Sequence, residues 1–222
     1  MTRGIFIAGN ESALSRAIEA ETGSRVEHFA SAFIPNRFSG AVKSSTQETP
    51  QRLPLDWNPS SPISARTLVL AAENRLEHID EAILICSPPS IRSKAFDLSF
   101  SDVDIMFNDH IKGWFFLVKE LATVFNNRKR GTLALVYPDI SSSSPKDEAA
   151  DLLGPPALAS FRALTQSLLS AAHNEAYFTM GFSTTDAGNE SGFASFIFKN
   201  LDETAKRSNG KLHKYGKFSL FK

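Results

Sequence analysis

Cysteine is almost absent from this sequence, since Cys86 is the only one among 222 residues. One thiol cannot close an intramolecular disulfide, and the N-terminus has neither the long apolar segment nor the small-residue cleavage site of a signal peptide. We therefore expect a reduced protein of the cytoplasm. No His or Cys near Cys86 has a spacing typical of metal ligands, so no metal site is expected.

Charge of one sign and long apolar runs are also lacking. The 24 Lys and Arg residues balance 24 Asp and Glu residues, and this balance gives no excess of positive charge to attract nucleic acid or an anionic membrane. No run of about 18 apolar residues occurs, so the sequence predicts no membrane span. At this length, residues 1–222 suit one α/β domain and are short for two.

Short apolar runs predict buried strands, and segments with apolar residues three and four apart predict helices between them. The predicted strands cover residues 5–8, 25–29, 53–55, 81–86, 132–137, 177–180 and 211–221. The first predicted helix begins near Leu14, and four further helices are predicted over residues 63–76, 101–126, 158–172 and 193–206. Strands alternating with helices predict a Rossmann-like, doubly wound, mostly parallel sheet with helices on both faces.

Residues 30–51 break this alternation. They have no helical pattern and contain Pro35, Gly40 and a cluster of Ser, Thr and Gln. A loop of that length is unusual inside a compact domain and is often mobile or functional. We expect an irregular excursion there, and the sequence leaves open whether it covers a ligand crevice.

The first predicted strand leads into a helix through Gly9 and Asn10, as at the opening of a βαβ nucleotide-binding unit. Such a turn holds a dinucleotide when glycines let the backbone approach the pyrophosphate and the helix N-terminus offers free N–H groups. The two later glycine positions carry Ala13 and Ser15 instead, whose Cβ atoms narrow that approach. Gly9, Ala13 and Ser15 are the candidate cofactor contacts, and a purely structural turn is the alternative.

Four phrases in this order resemble the short-chain dehydrogenase/reductase superfamily across nearly the whole chain. Residues 8–15 stand where that family has Thr-Gly-x-x-x-Gly-x-Gly, and Leu-Asp-Trp-Asn at 55–58 is similar to its strand-ending Asp-Val beside the adenine ring. Residues 79–87 resemble its Ile-Asp-x-Leu-Val-Asn-Asn-Ala-Gly strand, and 156–168 resemble its helix ending in Leu-Thr-x-Ser-Leu. The resemblance implies NAD(P) as cofactor and a role for Asp56 beside the adenine, with a turn or cap role as the alternative.

The catalytic groups of the resembled family are missing at the matching positions. There, a tyrosine exchanges a proton with the substrate oxygen, a lysine four residues on lowers the tyrosine pKa, and a serine positions the carbonyl. Here Gly154 stands at the tyrosine position and Leu158 at the lysine position, and neither can transfer a proton. The serine position falls near Tyr137 or Pro138, and His110 replaces the asparagine of the family's Asn-x-x-Gly phrase.

Two functions are compatible with this pattern. The preferred one is a non-catalytic protein of the short-chain dehydrogenase/reductase type, retained as a binding or assembly subunit and needing no cofactor. The alternative is a divergent NAD(P)-dependent oxidoreductase, ketoreductase-like, in which His110 or the serines beginning at Ser141 replace the lost groups. Each of these residues also has a structural interpretation, as a helix residue and as part of a polar loop.

The helix predicted over residues 101–126 is apolar on more than one face. One face should cover the sheet, so Met106, Leu117 and Val124 need another cover. In the resembled family this helix and the one matching 157–172 often pair with their copies. We therefore predict a homodimer, or a heteromer with a related subunit, through these two helices.

Overall fold

The computed structural model describes residues 3–35, 37–38, 51–139 and 150–216. Seven strands form one sheet, and every pair of neighbours is parallel. They are β1 (Ile5–Asn10), β2 (Phe29–Ile34), β3 (Arg52–Pro54), β4 (Glu81–Ile85), β5 (Thr132–Pro138), β6 (Phe178–Thr184) and β7 (Lys211–Tyr215). Their spatial order is β3-β2-β1-β4-β5-β6-β7, which confirms the predicted doubly wound fold.

Helices connect these strands and cover both faces of the sheet. They are α1 (Ala13–Gly23), α2 (Pro62–Leu76), α3 (Phe100–Phe107), α4 (Gly113–Arg128), α5 (Gly154–Ala171) and α6 (Glu190–Ser208). One core cluster lies between the sheet and α2, α4 and α5, with Leu68, Leu117 and Phe161 at its centre. The other lies beneath α1 and α6 and includes Ile18 and Phe193.

The second strand lies further along the chain than the sequence predicts. It covers Phe29–Ile34 rather than 25–29, so the first part of the predicted excursion belongs to the sheet. This strand contains three consecutive small residues that do not favour strands in the sequence: Ala30, Ser31 and Ala32. All three are buried, because helices cover both faces of the parallel sheet. Of the rest of the excursion, residues 36 and 39–50 lie outside the described residues.

Three other boundaries differ from the prediction. Strand β6 continues to Thr184 because Gly181, which looks like a strand end in the sequence, packs in the sheet against Leu169 and Leu212. Strand β7 ends at Tyr215, before residues 217–222, which lie outside the described part. The long predicted helix is divided by the π-turn Asn108–Lys112, where α3 ends and α4 begins.

The topology places a crevice between β1 and β4. Strand β1 leads to α1 on one face, and β4 leads to α3 and α4 on the other, so this is where the connections change sides. In open parallel sheets, ligands bind outside the carboxyl ends of the strands at such a point.

Within the described ranges, no helix is both long and apolar enough to span a membrane, and no three His, Cys, Asp or Glu side chains lie together as metal ligands.

Candidate functional site

The turn from β1 to α1 forms one wall of the crevice. A Cβ on Gly9 would lie 2.5 Å from the Ile85 carbonyl oxygen, so the close approach of β1 to β4 requires glycine whatever the crevice binds. Ser15 is buried, and its Oγ accepts a hydrogen bond from the Ser12 N–H at 2.7 Å. Ser12 Oγ in turn accepts from the Ser15 N–H, which closes a capping box at the start of α1.

This capping box uses polar groups that a pyrophosphate would otherwise meet. The Ser15 N–H points to Ser12 Oγ at 3.1 Å, and the Ser15 hydroxyl donates to the Ser12 carbonyl. Ala13, the first residue of α1, is exposed and offers a Cβ at the mouth of the turn. The roles of Gly9, Ala13 and Ser15 as cofactor contacts stay predictions.

Asn10 joins three parts of the crevice from the end of β1. Its Oδ1 accepts a hydrogen bond from the Ser87 N–H, just beyond β4, at 2.9 Å. Since a backbone N–H can only donate, the amide nitrogen must face His110, whose Nδ1 lies 2.8 Å from Asn10 Nδ2. His110 Nδ1 is therefore the acceptor, and this assigns the ring proton to Nε2.

His110 lies in the π-turn and is only 3% exposed. Burial, together with the positive charge of Arg37, lowers the pKa of His110 to about 4. The amide group of Asn10 would also oppose a proton on Nδ1. His110 is therefore a neutral ring that is held in one tautomer.

The segment after β2 lies over the same ring. Phe38 stacks on His110 with ring centroids 5.7 Å apart and planes inclined by 23°. Arg37 Nη2 donates to Asp109 Oδ1 at 2.7 Å and to Asn58 Oδ1 at 3.2 Å. Asp109 is 1% exposed, so the π-turn buries a carboxylate and an imidazole side by side at the crevice.

Apolar side chains fill the space between this segment and α5. Met106, Leu153 and Ala157 form a small buried cluster. The partly buried side chains packed against it share an apolar character and come from four different segments: Phe38, Ile91, Leu98, Val103 and Ile111. The region in front of the first turn of α5 is thus a packed apolar cluster.

Asp151 caps the start of α5 and ties it to the segment after β4. Its Oδ1 accepts from the Gly154 N–H at 2.9 Å, from the Leu153 N–H at 3.2 Å and from the Ile91 N–H at 3.3 Å. Arg92 pairs with Asp151 in an antiparallel bridge. A Cβ on Gly154 would lie 2.4 Å from Asp151 Oδ2, so the carboxylate would have to shift to admit any larger residue.

No protein-family model matches this sequence, and no curated protein does. Solved structures match it along nearly the whole chain. A short-chain dehydrogenase/reductase from Serratia marcescens is 13% identical, with a TM-score of 0.70 over 96% of this chain and 96% of that chain. The chain has the short-chain dehydrogenase/reductase fold. The resemblance predicted from the sequence is therefore confirmed at the level of the fold.

Two further structures show the same short-chain dehydrogenase/reductase fold. A short-chain dehydrogenase from Rhodopseudomonas palustris is 8% identical, with a TM-score of 0.73 over 97% of this chain and 99% of that chain. One from Bacillus anthracis is 12% identical, with a TM-score of 0.73 over 96% of this chain and 94% of that chain. Identities this low establish the architecture and leave the activity to the residues of the crevice.

Within this fold, the predicted tyrosine and lysine positions carry no group that can transfer a proton. Gly154 is buried at the start of α5 behind Asp151, and Leu158 packs against the core beneath α4 and α5. At the predicted serine position, Tyr137 is 2% exposed and lies edge-on to Phe161. Ser141 lies outside the described residues.

A tyrosine and a cation do meet near the end of β5. The Arg162 guanidinium lies over the Tyr137 ring, 5.8 Å from its centroid, and its Nη2 donates to Asp139 Oδ1 at 2.5 Å. Burial raises the pKa of Tyr137, while Arg162 acts in the opposite direction. The net result is a buried phenol that holds its proton more firmly than a free tyrosine.

Asp56 lies where the resemblance places a residue beside the adenine. It follows β3, is exposed, and lines a shallow pocket of about 360 Å³ together with Phe33 and Asn58. The pocket lies at the carboxyl ends of β2 and β3, on the same edge of the sheet as the crevice. Adenine binding by Asp56 stays a prediction.

The residues that organise the crevice are mostly ones that the sequence analysis did not select. Asp151 stands three residues before Gly154 and the prolines that begin α5, which is a recognisable capping signal. Asp109 and His110 are two polar residues in the middle of an apolar helical pattern, which also indicates a special site. Arg37 and Phe38 have no such signal, because they lie in a segment without periodicity.

Proposed function

We propose that this chain is a non-catalytic protein of the short-chain dehydrogenase/reductase fold, acting in the cytoplasm as a binding or assembly subunit. The observation that carries the proposal is the Asp151 cap on Gly154. It places a carboxylate and a glycine at the start of α5, where the resembled family has its proton-donating tyrosine. A glycine at position 154 fits this cap, since a Cβ there would lie 2.4 Å from Asp151 Oδ2 and would push the carboxylate aside.

The rest of the crevice supports the same proposal. The region in front of α5 is filled by the apolar cluster around Met106 and Leu153. A carbonyl substrate needs room and a hydrogen-bond donor at its oxygen, and this cluster offers neither. His110, one of the two catalytic candidates from the sequence, has Nδ1 occupied by Asn10 and one ring face covered by Phe38.

An assembly role is supported by exposed aromatic residues on the helices that were predicted to form the interface. Met106, Leu117 and Val124 do not form this exposed apolar surface. Met106 and Leu117 are buried within the chain, and Val124 packs against the core. Instead, Phe107 is 51% exposed and Phe115 is 50% exposed. A second copy or a related subunit that packs on α4 and α5 would remove this apolar surface from water.

A divergent NAD(P)-dependent oxidoreductase is the second candidate. The observation in its favour is the contact between Tyr137 and Arg162, which pairs a phenol with a cation at the end of β5. The burial of Tyr137, which raises its pKa, speaks against a role in proton transfer at neutral pH.

The experiment that separates the two candidates is a turnover assay of the full chain. The protein is mixed with NADH or NADPH and a panel of small ketones and aldehydes, and the nicotinamide absorbance is followed. The proposal expects no oxidation above the rate without protein. Turnover that is abolished by Tyr137→Phe would replace the proposal with the oxidoreductase.

A further inference from the structure

Arg37 and Phe38, here called the strap, connect the end of β2 to the opposite wall of the crevice. They reach the π-turn, whose residue His110 contacts Asn10 at the end of β1. Asn10 in turn holds the Ser87 N–H at the end of β4. The strap is therefore linked through His110 and Asn10 to the carboxyl ends of β1 and β4, the point at which this type of sheet binds its ligand.

Arg37 is the charged anchor of the strap. Its guanidinium lies 2.7 Å from Asp109 Oδ1, and Asp109 is 1% exposed. Among the described residues, Asp109 Oδ2 has no hydrogen-bond partner. Moving Arg37 away would leave a buried carboxylate without its cation, which is an unfavourable state.

Phe38 is the apolar anchor. It stacks on His110 and packs against the cluster formed by Met106, Leu153 and Ala157. It thus contacts both the π-turn and the apolar cluster in front of α5. The stacking covers one face of the His110 ring.

We propose that the strap is an autoinhibitory closure, so that a dinucleotide enters the crevice only after Arg37 leaves Asp109 and Phe38 leaves His110. The inference goes beyond the proposed function, because a closure of this kind controls binding whether or not the chain catalyses a reaction. The apparent affinity of a ligand falls by the fraction of molecules that are open. Weakening either anchor should therefore tighten binding without any new contact to the ligand.

The test compares NADH binding, followed by nicotinamide fluorescence, among the wild-type chain and three variants. Asp109→Asn removes the charge that holds Arg37, and Phe38→Ala removes the stacked ring. Asp104→Asn makes the same chemical change as the first variant at an exposed position on α3 and is the matched control. We expect Asp109→Asn and Phe38→Ala to bind NADH at least about tenfold more tightly than the wild type and the control.

A second measurement follows the strap without a ligand. Trypsin cleaves after arginine, and the bond after Arg37 should be cut several times faster in Asp109→Asn than in Asp104→Asn, with the products identified by mass. Phe38 is only half-buried, so Phe38→Ala keeps the test valid if Asp109→Asn does not fold. Equal NADH affinities across all four proteins, or no binding by any of them, would overturn the closure even if the cleavage rates differ.

The experiments distinguish an error in the closure from an error in the proposed function. Turnover of a ketone by the wild-type chain would contradict the non-catalytic assignment and leave the affinity ratios unaffected. Equal affinities would contradict the closure and leave the non-catalytic assignment in place.

Discussion

The Gly154 N–H donates to Asp151 Oδ1 at 2.9 Å, and the second carboxylate oxygen of Asp151 occupies the space that a Cβ on Gly154 would need. The two residues are therefore coupled: a side chain at position 154 would have to displace the carboxylate, and the carboxylate satisfies free N–H groups at the start of α5. A tyrosine at position 154 would have to displace this cap before its hydroxyl could reach a substrate.

A double-mutant cycle tests the coupling. Gly154→Ala should lower the free energy of unfolding by roughly 1–3 kcal/mol because the new Cβ overpacks the cap. Asp151→Ala should lower it by about 1 kcal/mol through the lost hydrogen bonds. The two together should cost clearly less than the sum of the single effects, since removing the carboxylate also removes the collision.

Urea unfolding of the four proteins measures the cycle. Pro156→Ala, a change at an exposed residue in the first turn of α5, is the control for a change that touches neither partner. Additive effects of Gly154→Ala and Asp151→Ala would show that the two residues do not compete for space.

His110 should make stability fall in weak acid. Its pKa is lowered to about 4 in the folded chain, against about 6.5 for a free histidine. Above about pH 6.5 both states are neutral. Between about pH 6.5 and 4 the unfolded chain binds a proton that the folded chain refuses, so stability decreases as pH falls through that window, by about 3 kcal/mol at most.

The contribution of His110 to the pH dependence is found by comparing variants with the wild type. The free energy of unfolding is measured near pH 7 and near pH 4.5 for the wild type, His110→Asn and His28→Asn. His110→Asn should lose part of the acid-dependent decrease, and His28→Asn, which changes an exposed side chain, should keep it all. The same pH dependence in all three proteins would mean that His110 is not held neutral.

The sequence predicts the architecture well because apolar runs and helical periodicity are present even where the motifs of the resembled family are absent. The seven strands and their alternation with helices follow from runs such as Glu81–Ile85, which is buried along its whole length. The second strand was misplaced because Ala30 and Ala32 are too small to give a strand signal. A parallel strand between covered faces needs small side chains more than it needs β-propensity.

The site was harder to predict from the sequence, because its residues act through contacts between distant segments. The absence of a tyrosine at Gly154 is visible in the sequence, but the collision with Asp151 needs the three-dimensional turn. Arg37 and Asp109 are 72 residues apart, and nothing in either segment indicates the other. The expectation that Met106 and Leu117 need an outside cover was wrong, since Met106 is buried with Leu153 and Ala157 and Leu117 is buried in the core.

Assembly through α4 should depend on Phe115. We expect the wild-type chain to have the mass of a dimer in light scattering at micromolar concentration. Phe115→Asp should weaken the dimer at least about tenfold, because it places an unpaired charge in an apolar contact. Ile63→Asp, an exposed apolar position on α2, should leave the mass unchanged; a wild-type monomer, or equal effects of the two variants, would contradict this interface.

Our proposal expects no proton transfer from the positions of the resembled family's acid and base, Gly154 and Leu158, even when a dinucleotide can reach the crevice. The most direct measurement is therefore NADH and NADPH oxidation by Phe38→Ala, in which the strap is weakened, with saturating small ketones. We predict cofactor binding with no oxidation above the rate without protein. Steady turnover by this variant would contradict the account, because it would require an acid that Gly154, Leu158 and His110 do not supply.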